Sequence, residues 1–150
     1  MVGLPQVKYR ILARLLARIL IGMVFLFNMQ CAVVFLVTPG SYARAFELPG
    51  EIGEAMIRGL GVLFLMWNVP YGVALWDPVR HRLALWEALV MQAIGVIGES
   101  IIYMTLSPGH AITRASLSRF IVFDAIGLLA LGVAVWLSRS YPPSSTASTS

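Results

Sequence analysis

Charge is scarce in this 150-residue sequence: Lys, Arg, Asp and Glu make up 12% of it, about half the share in an average soluble domain. A soluble domain of this size covers its outside with polar groups, and 11 basic and 7 acidic side chains cannot do that. Cysteine is nearly absent. The lone Cys31 excludes an internal disulfide, a CxxC dithiol and a Cys-rich zinc site. The two histidines, His81 and His110, fall between apolar runs, about one bilayer apart, which excludes a bis-His haem held inside spanning helices. No Gly-rich phosphate loop, HExxH or GxSxG occurs. No metal site and no cofactor are implied. The net charge of +4 comes from cations set singly at the ends of apolar runs, not from the aromatic-interleaved patch of a nucleic-acid binder.

What is present is apolar. Hydrophobic residues make up 59% of the chain and the mean hydropathy is +0.82. The composition predicts an integral membrane protein with one domain. A spanning helix needs ~20 mostly apolar residues, and four segments qualify: 11–37, 52–76, 83–106 and 115–137. Thr38-Pro39-Gly40 and Leu48-Pro49-Gly50 flank the first connection, Asp77-Pro78 opens the second and Ser107-Pro108-Gly109 the third. The expected fold is all-α, an up-down four-helix transmembrane bundle over residues 1–139. The Ser/Thr/Pro-rich tail, 140–150, reads as disordered.

Orientation follows from the basic residues. Lys8, Arg10, Arg14, Arg18, Arg80, Arg82 and Arg139 fall on one side, and Arg44, Arg58, Arg114 and Arg119 on the other. This places both termini in the cytoplasm and the chain in the cell (inner) membrane. The apolar run 19–37 is too long for the core of a cleaved secretory signal, so the first span is expected to stay as an anchor.

Each ionisable group inside a span needs an explanation, because a charge at mid-bilayer costs at least ~2.5–3.5 kcal/mol. At 1.5 Å per residue, Arg58, Glu99 and Asp124 lie roughly 9–13 Å below the outer face, and Asn28 and Gln30 roughly 12–15 Å. Glu54 and Arg119 are shallower. On the second helix Glu54, Arg58, Gly61, Leu65, Asn68 and Gly72 form one stripe, with Glu54 and Arg58 paired at i,i+4. On the third, Gln92, Gly95 and Glu99 share a face. The expected cluster is therefore Asn28, Gln30, Glu54, Arg58, Gln92, Glu99 and Asp124, with Arg58 as the cation that neutralises the carboxylates. Two readings stand: a network that fixes helix register, or one that also lines a pocket open to the outer face. Nearer the cytoplasm, Glu87 is expected to form a rim ion pair with Arg80, Arg82 or Arg14. Asn68 is expected to satisfy the carbonyl freed by Pro70, or a neighbouring helix.

The run Arg18-Ile-Leu-Ile-Gly22-Met-Val-Phe25-Leu26-Phe-Asn28 resembles the opening helix of DoxX-like membrane proteins. Gly53-Glu54-Ala-Met-Ile-Arg58-Gly59-Leu-Gly61 is similar to that family's acidic-led, Gly-rich second helix, and Arg80-His81-Arg82 to its short basic turn. The resemblance covers roughly residues 14–137. It implies a compact four-helix bundle, in some members attached to membrane redox or sulfur metabolism, and it carries over no catalytic residue. The leading expectation is a small accessory or scaffold component of a membrane redox or transport assembly. Its partners would be the lipid bilayer and other membrane subunits or a second copy. The alternatives are a proton-coupled small-molecule transporter, and an intramembrane enzyme using paired carboxylates on a lipid-soluble substrate such as a quinone.

Overall fold

A computed structural model describes residues 4–139; the tail at 140–150, read above as disordered, lies outside the described residues. Among the described residues there are five helices and no strand: α1 (Leu4–Val37), α2 (Pro39–Ala45), α3 (Glu51–Trp76), α4 (Arg82–Thr105) and α5 (Ala111–Arg139). The four long ones are each long and apolar enough to cross a membrane. Their bounds match the four expected spans to within a few residues, except that α1 begins at Leu4.

The connection read as a turn at Thr38-Pro39-Gly40 instead opens a seven-residue helix. Pro39 sits in its first turn, where a missing N–H leaves no helical bond unmade. The helix α2 ends with Glu47 in the left-handed region, at φ 57°. The Glu47 N–H donates to the Arg44 carbonyl and the Leu48 N–H to the Ala43 carbonyl, the paired bonds of a Schellman cap. Next, α3 starts after Gly50 (φ 93°) with Glu51 and Glu54 in its first turn, where carboxylates favour the helix dipole. At its other end the Asp77 carboxylate accepts from the N–H groups of Val79 and Arg80, both at 3.1 Å, and pairs with Arg14 of α1. Burial pushes the Asp77 carboxyl up, but those two N–H groups and the Arg14 guanidinium outweigh it and hold it below its ordinary value. Arg114 closes the end of α4 by donating to the Tyr103 and Leu106 carbonyls at 2.8 and 2.7 Å.

The bundle is built from α1 on α3 and α5, α4 on α5, and α3 on α4, with α2 laid against α3. Small residues set the spacing. Ala13, Ala17, Ala74, Ala88 and Ala134 are buried in one cluster near the Asp77 turn, so helix backbones approach closely there. A second, aromatic cluster gathers Phe35, Tyr42, Phe46, Phe64 and Phe120 at the end that carries α2. Between the two clusters lies a layer of polar side chains.

A latch ties the α2 end to α5: His110 Nδ1 and Glu47 Oε2 are 2.6 Å apart. The hydrogen bond from His110, above all, holds the Glu47 carboxyl below its usual value. The latch is therefore present above the ordinary carboxylate range and lost as pH falls through the lowered value. Thermal-unfolding midpoints taken as pH is lowered should drop more steeply for the wild type than for Glu47→Gln. The remaining slope in the variant comes in part from Asp77. Superimposable acid limbs would show that the latch contributes nothing.

Candidate functional site

Gln92 organises the polar layer. The Tyr71 hydroxyl of α3 donates to Gln92 Oε1 at 2.6 Å, with the Ala88 carbonyl at 3.1 Å. Gln92 Nε2 in turn donates to Asp124 Oδ1 of α5 at 2.9 Å. Asn28 of α1 lines the same cavity beside them, so all four long helices contribute a polar side chain to this layer. Glycines make it possible. A Cβ on Gly127 would stand 2.8 Å from Gln92 Nε2, and one on Gly95 would run into the Asp124 carboxylate.

This network floors a cavity of about 440 Å³. Its walls are mostly apolar: Phe64, Trp67 and Leu60 from α3, Ile94, Gly98 and Ile102 from α4, and Leu117 and Phe120 from α5. Phe46 closes it from the α2 connection. Leu60, Trp67, Ile94 and Ile102 are exposed and form the rim between α3 and α4. Two buried oxygens in the lining have no hydrogen-bond partner among the described residues, Asn68 Oδ1 and Glu99 Oε2. Leaving such a group unpaired costs ~1–3 kcal/mol.

Of the seven residues expected to converge, Asn28, Gln92, Glu99 and Asp124 do line this cavity. Arg58 does not, which corrects the expectation of a neutralising cation. Its side chain is half exposed and pairs along its own helix with Glu54 at 3.5 Å. The buried face of α3 runs through Gly53, Ile57, Gly61, Asn68, Tyr71 and Ala74. At 3.6 residues per turn the Glu54–Arg58 pair is turned roughly 100° from the centre of that face. Glu54 lies instead against α2, its carboxylate beside Gly40. Among the described residues, no arginine, lysine or histidine lines the cavity.

Gln30 is exposed and belongs to a second cavity, about 470 Å³, with Cys31, Tyr42 and Arg119. There Arg119 donates to Ser116 Oγ at 3.1 Å. Phe64 and Phe120 line both cavities. Asn68 is not a separate inner position but part of the main cavity. Its amide donates to the Phe64 carbonyl at 2.8 Å, not to the carbonyl at Met66 that Pro70 frees. Glu87 is exposed on α4. Among the described residues Glu87 forms no ion pair with Arg80, Arg82 or Arg14; Arg14 is engaged by Asp77, and Arg82 donates to the Ser138 carbonyl at 2.9 Å.

Sequence reasoning passed over Tyr71. It stands three residues after Asn68 on the same helix face, and a tyrosine inside a span needs a partner for its hydroxyl. That was the available signal.

The fold and site define a helical bundle, with four membrane-length helices and an internal cavity that is apolar in its walls and acidic on one side. No protein-family model, curated protein or solved structure matches the chain. Its chemistry is therefore argued from the cavity itself.

Proposed function

We propose that this chain is a multi-pass inner-membrane protein of the DoxX-like kind, which binds a lipid-soluble small molecule between α3 and α4. In this reading the four long helices run up-down-up-down, with both termini cytoplasmic. The accessory role in a redox or transport assembly is to hold that molecule. The four membrane-length apolar helices and the distribution of Lys and Arg support insertion and orientation. So does the large apolar surface left outside the bundle, from Ile11 and Leu12 to Leu129 and Trp136.

One observation carries the ligand: a cavity of about 440 Å³ with unpartnered oxygens on Asn68 and Glu99. Natural interiors are close-packed and pair their buried polar groups. A space of this size at a polar floor has the form of a binding pocket. A network serving register alone has no use for the space or for the open acceptors.

Gly98 gives the test. It lines the cavity, and a Cβ placed on it meets nothing within 4 Å. Gly98→Leu therefore fills space without a clash. Replacing a helical glycine also favours folding by up to ~1 kcal/mol. Binding of a neutral probe, 2-naphthylmethanol, to the detergent-purified full chain should weaken by at least about tenfold in Gly98→Leu. The control Gly59→Leu, also in open space but not in the cavity lining, should leave it unchanged. Equal binding by wild type and Gly98→Leu would sink the ligand reading.

A further inference from the structure

We infer that the ligand of this cavity is an organic cation, a lipophilic ammonium compound that enters in exchange for a proton. The inference rests on the ligand-binding reading above and specifies the charge and hydrogen-bonding character of what is bound.

The first argument is donor and acceptor bookkeeping. Asn68 Nδ2, Gln92 Nε2 and the Tyr71 hydroxyl each find an acceptor within the protein, on the Phe64 carbonyl, on Asp124, and on Gln92 and Ala88. Two buried oxygens of the lining find no donor among the described residues, Asn68 Oδ1 and Glu99 Oε2. A guest that offers only carbonyl oxygens, as a quinone does, leaves Asn68 Oδ1 unsatisfied and can bond Glu99 only while that carboxyl holds its proton. A guest with N–H or O–H groups satisfies them.

Charge decides between those two donors. Among the described residues the lining has two carboxyl groups, Glu99 and Asp124, and no cationic side chain. The nearby arginines are committed elsewhere: Arg58 to Glu54, Arg119 to Ser116 beside the other cavity, and Arg114 to the end of α4. The remaining titratable neighbours are Tyr71 from α3 and Cys31 from α1, which adjoins through the second cavity. Neither supplies a positive charge. An ammonium group therefore meets uncompensated carboxyl oxygens, where a hydroxyl gains only the hydrogen bond.

The walls suit the same guest. Phe35, Phe46, Phe64, Trp67, Tyr71 and Phe120 line the cavity, and aromatic faces attract cations, more strongly when water is excluded. The exchange balances. A cation R–NH3⁺ arrives at a protonated carboxyl, the carboxyl releases its proton, and an ammonium–carboxylate pair forms with the pocket's net charge unchanged.

One ring in three charge states tests this: 2-naphthylmethylammonium, 2-naphthylmethanol and 2-naphthoate, each dialysed against the full chain in non-ionic detergent. The ammonium should bind at least about tenfold tighter than the alcohol, and the naphthoate not detectably. In weakly buffered solution, binding of the ammonium should release about one proton, and its affinity should fall as the solution is acidified. Glu99→Gln should bring the ammonium and the alcohol close to equal affinity. The wild-type ratio and proton release decide the matter even if that variant fails to fold. Equal binding of ammonium and alcohol overturns the cation and leaves the pocket standing. Tight ammonium binding without proton release overturns the exchange, and binding of none of the three overturns both readings.

Discussion

Gln92→Leu should destabilise the bundle by roughly 2–4 kcal/mol, measured as the loss of unfolding free energy in mixed-micelle denaturation. Leucine is close to glutamine in volume, so the change removes bonds more than packing. Asp124 Oδ1 is stranded, losing the donor at 2.9 Å, and the Tyr71 hydroxyl keeps only the longer bond to the Ala88 carbonyl at 3.1 Å. A buried polar group left unsatisfied costs ~1–3 kcal/mol, and more when it is charged. Gln92 is itself only 3% exposed, so water does not easily replace the lost bonds. Tyr71→Phe is the internal control. It leaves Gln92 Oε1 without its donor but keeps Gln92 Nε2 on Asp124, so it should cost about 1 kcal/mol, the lower end for one neutral acceptor left open. If Gln92→Leu costs no more than Tyr71→Phe, the amide is not the hub of the network.

Gly61→Val should be comparably damaging for a steric reason. A Cβ at this position would stand 2.9 Å from Leu36 Cγ, 3.0 Å from Phe35 Cβ and 3.1 Å from the Ala32 carbonyl oxygen. The leucine can rotate away, but the carbonyl belongs to the backbone of α1 and moves only with that helix. Overpacking of a well-filled interface costs ~1–3 kcal/mol, more where the backbone has to shift. The two extra methyl groups of valine place Gly61→Val at the upper end, with Gly61→Ala at the lower. Gly59 is two residues away with open space at its Cβ. There Gly59→Ala should stabilise by ~0.5–1 kcal/mol, through helix propensity alone. A Gly61→Val protein that unfolds like the wild type would mean that α1 and α3 do not approach as closely as the structure places them.

Arg58 and Asp124 show where reading the sequence stops. The sequence places both at similar depth in their spans, and of the groups so placed Asp124, Glu99 and Asn28 line one cavity while Arg58 does not. Depth is counted along the helix axis, so an error of one residue moves a group by only ~1.5 Å. Facing is less forgiving, because one residue is about 100° of rotation. Arg58 also had a local solution, the i,i+4 partner Glu54, and took it. Asn68 likewise bonds within its own helix. Short-range partners four residues away compete with any cross-bundle pairing.

The sequence by itself determined that there are four long apolar helices, roughly where each starts and stops, and which polar groups share a level. Those are one-dimensional quantities, set by the length of apolar runs and by the Pro, Gly and Asp residues between them. Only the tertiary structure decided how each helix is turned about its axis, that the seven-residue α2 forms, and that Glu99 and Asp124 share a cavity with no cationic side chain among the described residues. In a soluble helix the contrast between a wet face and a dry face reveals that rotation. Here α3 exposes Ile52, Met56, Val62, Met66 and Val73 and buries Ile57, Tyr71 and Ala74, so both sides are apolar. With no such contrast to read, the rotation is set by where glycine and alanine let backbones close together and by which polar partners come within reach.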